Sequence, residues 1–125
     1  MFEYLVTDAN RISVLQLVRN KDHDVIGTIC IGRGYGVFRS QSLEEIAAYS
    51  TGKFDNVGLL VHYEPMYNQE LTVDGSVYPQ THTVPDIGDV CVWRGIPYSV
   101  TGVDVRIDIQ GDLVGYTIRC SGGSR

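Results

Sequence analysis

The chain has no apolar run approaching the ~20 residues that cross a bilayer, no C-x-x-C pair and no surplus of basic charge. Each absence removes a class of function. No membrane-spanning helix is expected. The cysteines, Cys30, Cys91 and Cys120, are odd in number and widely spaced, which does not fit a disulfide framework. Each lies in a strand-like apolar run, where a reduced thiol packs as a small hydrophobe. Ten Lys and Arg against fifteen Asp and Glu leave a net charge of −5, the wrong sign for a protein that tracks phosphates, and the basic residues are scattered. The start, Met-Phe-Glu-Tyr-Leu-Val-Thr-Asp, lacks the basic and apolar stretches of a secretory leader. Synthesis and folding in a reducing cytosol are therefore expected.

Glycine (14 residues) and tyrosine (8) are plentiful. Glycine serves tight turns and tyrosine fits a half-buried pleated surface, so the composition favours short strands joined by turns. With 125 residues and 43% hydrophobic content, the chain is long enough to bury one core without a metal or disulfide staple. A single β-rich domain over residues 1–120 is expected, with residues 121–125 as a flexible tail.

The apolar runs Ile12 to Val18 and Val25 to Ile31 flank Arg-Asn-Lys-Asp-His-Asp, the pattern of an antiparallel hairpin. Gly32-Arg33-Gly34-Tyr35-Gly36 is expected to interrupt the chain before a short run at Val37 to Arg39. Ser42-Leu43-Glu44-Glu45 matches a capping box, and Leu43, Ile46 and Ala47 share one face, which predicts a short helix over residues 42–50 ended by Gly52. Val57, Leu59, Val61 and Tyr63 alternate as a strand. Asp74-Gly75 between Leu71-Thr72-Val73 and Ser76-Val77-Tyr78 is a hairpin turn. Tyr63 to Asn68 and Pro79 to Asp86 read as loops. Asp89 to Arg94 is apolar on both faces and reads as a central strand covered on both sides. After Arg94 to Pro97, Tyr98 and Val100 share one parity, whereas Val103, Val105, Ile107 and Ile109 share the other. That phase switch at Thr101-Gly102 predicts a bulge, which bends a strand enough to help close a small barrel. The last strand turns Val114, Tyr116, Ile118 and Cys120 inward. The fold expected is mainly β: a small SH3-like closed barrel or sandwich of antiparallel strands, with the short helix plugging one end.

No motif carries a chemistry. Gly32 to Gly36 lacks the G-x-x-x-x-G-K-[ST] spacing of a phosphate loop and reads as a turn. His23, His62 and His82 show no ligand spacing. Asp104 and Asp108 alternate with Arg106 on one outer face, as a solvated ion-pair ladder would. Neither Gly-x-Ser-x-Gly nor a local Cys/His pairing occurs, so no catalytic residue, metal or cofactor is expected. Tyr63, Met66, Tyr67 and Tyr78 gather near loops, and aromatic and methionine side chains are enriched at the centres of protein interfaces. The seven candidate interface residues are these four with Asp104, Arg106 and Asp108.

The segment Gly88-Asp89-Val90-Cys91-Val92-Trp93-Arg94-Gly95-Ile96-Pro97-Tyr98-Ser99-Val100-Thr101-Gly102-Val103, with Gly115-Tyr116-Thr117-Ile118-Arg119, resembles the C-terminal strands of small neck proteins of tailed bacteriophages, the head–tail connector or head-closure (stopper) proteins. The match covers about a quarter of the chain. The resemblance implies a small barrel docked as a symmetric ring in the virion neck, after assembly in the host cytoplasm. It implies copies of itself and portal, adaptor or tail proteins as partners, with no active site, specific nucleic-acid binding or membrane contact. Tail-completion, baseplate and capsid-decoration proteins use similar barrels. A free-standing sugar- or peptide-binding module, or a small enzyme with a site built from dispersed residues, are the rival expectations.

Overall fold

The computed structural model describes residues 7–40 and 56–122; the helix expected over residues 42–50 lies outside them. Six antiparallel strands close into a barrel in the order β1 (Arg11–Arg19), β2 (Val25–Ser40), β3 (Asn56–Pro65), β8 (Leu113–Gly122), β7 (Ile96–Ile107) and β6 (Val90–Trp93). Two further strands, β4 (Glu70–Val73) and β5 (Ser76–Pro79), form a separate ribbon. A 3₁₀ turn, Asp8–Asn10, precedes β1. The barrel is the expected class. The last strand runs to Gly122, so Ser121 and Gly122, pairing with Ser99 and Tyr98, belong to the barrel and not to a tail.

Strand alternation builds the core. Ile12, Val14, Gln16 and Val18 of β1 point inward while their neighbours stay partly exposed. Ile31, Leu60, Cys91, Ile118 and Cys120 meet Ile12 and Val14 at the centre with no exposed surface. At the lower end, where the Arg94–Gly95 turn joins β6 to β7, Phe38 stacks on Tyr98 with ring centres 4.3 Å apart and Trp93 leans on both. At the upper end, Tyr63 meets Tyr116 edge to face at 5.8 Å.

Gly32 to Gly36 does not interrupt the chain: β2 continues through it for 16 residues. Gly32, Gly34 and Gly36 all turn inward and are buried. A side chain at Gly32 would strike the Tyr63 ring, and one at Gly36 would strike the Leu59 carbonyl. The glycines therefore mark close approach of β3 to β2, not a turn. The segment Asp89 to Arg94 is also shorter than expected and less covered. Only Cys91 of β6 is fully buried, because a barrel strand has one inner face and its outer face meets water.

Two local expectations match. Asp74 and Gly75 both take positive φ, 50° and 81°, closing the β4–β5 hairpin as Asp-Gly allows. The β7–β8 register slips between Val100 and Gly102, a bulge that carries the inward parity from Tyr98 and Val100 over to Val103.

Gly36→Ala is expected to destabilise the fold by about 3 kcal/mol or more, since the obstacle is backbone and cannot swing aside. Gly111→Asn, at a positive φ in open space, should cost about 1 kcal/mol or less. Urea unfolding of both variants checks the contrast.

Candidate functional site

Strand β6 pairs with β1 only from Ile12 to Leu15 and with β7 only from Ile96 to Ser99. Above that level β1 and β7 lose their common neighbour, and residues 79–89 fill the gap. The segment is sewn to the barrel by side chains. The Gln16 amide accepts from the Thr81 N–H at 2.8 Å and donates to the Pro79 carbonyl at 3.4 Å. Gln80 donates to the Met66 and His82 carbonyls at 2.7 and 2.8 Å. The Tyr63 hydroxyl, whose pKa burial pushes up, donates to the Thr83 carbonyl at 2.7 Å. At the far end Gly88 and Asp89 continue the sheet through backbone bonds with Val100.

The knot of this segment is Asp89, 3% exposed. Its carboxylate accepts from His82 Nε2 at 2.7 Å and from the Asp86 N–H at 2.9 Å. His82 Nδ1 lies 2.8 Å from the Thr81 hydroxyl. The neutral ring donates to Asp89 and accepts from Thr81; the protonated ring donates to both. Burial raises the Asp89 pKa above the ordinary carboxylate value, with His82 and the Asp86 N–H opposing it. Together with Gln16 these groups line a cleft of about 420 Å³ against β1. The order carboxylate, imidazole, hydroxyl is that of a nucleophile relay, and each member also holds the segment in place.

Sequence reasoning missed His82, Asp89 and Gln16 as a unit. Asp89 sits in an apolar run, and its pairing with His82 exists only once residues 82–89 have folded back. The three histidines do not meet: His23 lies in the β1–β2 turn, and His62 lines a recess of about 190 Å³ on the outer wall beside Arg11, Arg33 and Tyr35. No group of His, Cys, Asp and Glu able to hold a metal occurs among the described residues. All three cysteines are free, with Cys91 and Cys120 buried.

The seven candidate interface residues separate into two groups. Tyr63 is half-buried and packs into the core, inside β3 and not in a loop. Tyr78 leans on the core, and the Met66 N–H bonds the Ile31 carbonyl. Tyr67 alone of the four stands in solvent. Asp104, Arg106 and Asp108 lie exposed on the β7–β8 hairpin, where Asp104 bonds Arg119. That hairpin projects above the level where β6 ends. Its other face continues the core: Val103 opposes buried Ile118, Val105 opposes Tyr116 and Ile107 opposes Leu113. Yet Val105 and Ile107 are 61% and 62% exposed, and Ile109 fully so. An apolar strip thus leaves the core and runs into water.

Two measurements test the Asp89 assignment. A carboxyl with a raised folded pKa binds its proton more readily folded, so its contribution is present below the unfolded value and lost as pH climbs through the folded one. The stability of the natural chain relative to Asp89→Asn should therefore fall as pH rises from below the ordinary carboxylate value, about 3.9, towards neutrality. His82→Ala, which strips a partner from a buried carboxylate, should cost about 1–3 kcal/mol near neutral pH in the same unfolding assay. No protein-family profile, curated protein or solved structure matches this chain, so the functional reading comes from these residues.

Proposed function

We propose that this chain is a structural subunit that works by assembly, in its most specific form a neck component of a tailed phage that joins a symmetric ring. The observation that carries this reading is the projecting β7–β8 hairpin, whose apolar face extends from the core into water at Val105, Ile107, Ile109 and Leu113. Burying such a strip gains about 25 cal/mol for each Å² removed from water, and an uncovered strip of this kind marks an association surface. The segments that resemble head–tail connector proteins include β6, β7 as far as Val103 and half of β8, the elements from which the hairpin springs. Copies of the chain and neighbouring portal, adaptor or tail proteins are the partners this reading names, and the virion is its location. Tail completion, baseplate and capsid decoration are its nearest variants.

The packing of Tyr63 speaks against a platform of the candidate tyrosines for sugars or peptides, since of Tyr63, Tyr67 and Tyr78 only Tyr67 is exposed enough to stack on a ligand. One observation favours a second reading, a small hydrolytic enzyme: the Asp89–His82–Thr81 relay beside a cleft. Under it, Thr81→Ala would abolish turnover of activated esters while leaving association unchanged.

Light scattering across a concentration range decides between them. The natural chain is expected at a multiple of 13.9 kDa. The double variant Ile107→Ser, Ile109→Ser is expected to shift to the single-chain mass with its unfolding midpoint within about 1 kcal/mol of the parent, as for exposed sites. A chain that stays single at every concentration, with the serine variant indistinguishable from it, would overturn the assembly reading.

A further inference from the structure

The β7–β8 hairpin also exposes backbone. Above Val100 no strand or loop among the described residues bonds to the outer edge of β7, because its last contacts on that side are those of Val100 with Gly88 and Asp89. Val103 to Ile107 therefore presents a row of unpaired N–H and C=O groups, the template for strand addition. The usual blocks to such addition, lysine and proline, do not occur after Pro97.

We propose that this edge pairs antiparallel with the same edge of a second copy, about a two-fold axis at Val105. The side chains choose that register. Centred on Val105, Asp104 stands opposite the partner's Arg106 and Arg106 opposite the partner's Asp104, while Val103 faces the partner's Ile107 and Val105 faces its own counterpart. Centred on Arg106, two arginines and two aspartate pairs would oppose each other; centred on Asp104, two aspartates would. Directly opposed like charges destabilise a strand pair and opposite charges stabilise it. Arg106 makes no ion pair or hydrogen bond among the described residues. Asp104 meets Arg119 through Oδ2, which leaves Oδ1 for the incoming guanidinium. On the other face the pairing sets two exposed apolar strips side by side, Val105 and Ile107 of each copy. One act of pairing answers the open edge, the unpartnered arginine and the uncovered valine and isoleucine.

The pairing does not rest on the phage reading. Where both hold, symmetry requires that the ring be built of pairs and contain an even number of subunits, because a two-fold contact closes on itself and cannot propagate head to tail.

The test uses the full chain. Arg106→Asp and Asp104→Arg, each alone, should weaken pairing about tenfold or more in sedimentation equilibrium, since each puts like charges opposite one another twice. Mixing the two variants should restore a one-to-one heterodimer, in which every cross-strand pair is again of opposite sign. Independently, Val105→Cys should form an interchain disulfide under mild oxidation, doubling the mass on a non-reducing gel, whereas Asp108→Cys should not. Val105 is the position that meets itself across the axis. Failure of the mixed variants to associate, or equal crosslinking at residues 105 and 108, would overturn the pairing. A larger assembly whose mass is unmoved by Arg106→Asp would also overturn it while leaving the structural-subunit reading standing.

Discussion

Closure of the barrel depends on β6, and β6 is four residues long. Among the described residues Val90 to Trp93 is the only strand that joins β1 to β7, so hydrogen-bonded closure by a strand covers only the lower part of the wall there. Both neighbouring hairpins are longer than the strand that ties them together. Above Leu15 on one side and Val100 on the other, the ladder has to be replaced by something else or left open. Among the described residues each happens once: residues 79–89 seal the β1 side, and the β7 side above Val100 stays bare.

The seal is polar, and this sets its character. A longer β6 would have supplied backbone bonds to both neighbours. Instead Gln16, Gln80, Tyr63, His82 and Asp89 bond the carbonyls and amides of a segment with no regular structure. Such a network holds one conformation well when every member is satisfied, and becomes costly when one is removed. The segment therefore keeps a defined shape with little apolar surface beneath it. The same physics makes Asp89 the most sensitive group of the upper end, because it is a carboxylate almost wholly withdrawn from water.

Much of this architecture was legible from local pattern. Period-2 alternation located β1 and β8, Asp74-Gly75 located a hairpin, and the parity change at Thr101-Gly102 located a bulge, because each is dictated by neighbours in sequence. In β3 the alternation of Val57, Leu59 and Val61 marked the face away from the core; Gly58 and Leu60, opposite Ile118 and Tyr116, are the residues that meet it. What escaped depended on distant partners. Gly32 to Gly36 looks like a turn until β3 is known to press against it. His82 and Asp89 meet only after the chain between them folds back. Tyr63 resembled a loop tyrosine because the polar residues beyond it mask the continuing strand. The β7 strip was misleading in another way, since alternation reports that one face is apolar and says nothing about whether anything covers it. Val103 and Ile107 have the same signature; one is packed against the core and the other stands in water.

The bulge at Thr101-Gly102 has an implication for how this surface evolves. It is the joint at which the phase of β7 is set: below it, even-numbered residues look inward, and above it odd-numbered ones do. Loss of a single codon there would remove the extra residue: Val100 opposite Cys120, Gly102 opposite Arg119 and Val103 opposite Ile118 would follow one unbroken alternation, so every upper side chain would keep its face while the bend that the bulge gives to β7 would disappear. The barrel below would be untouched, because its pairing with β6 ends at Ser99. A one-residue length change would thus re-aim the projecting hairpin in one step, without altering any other residue of the protein.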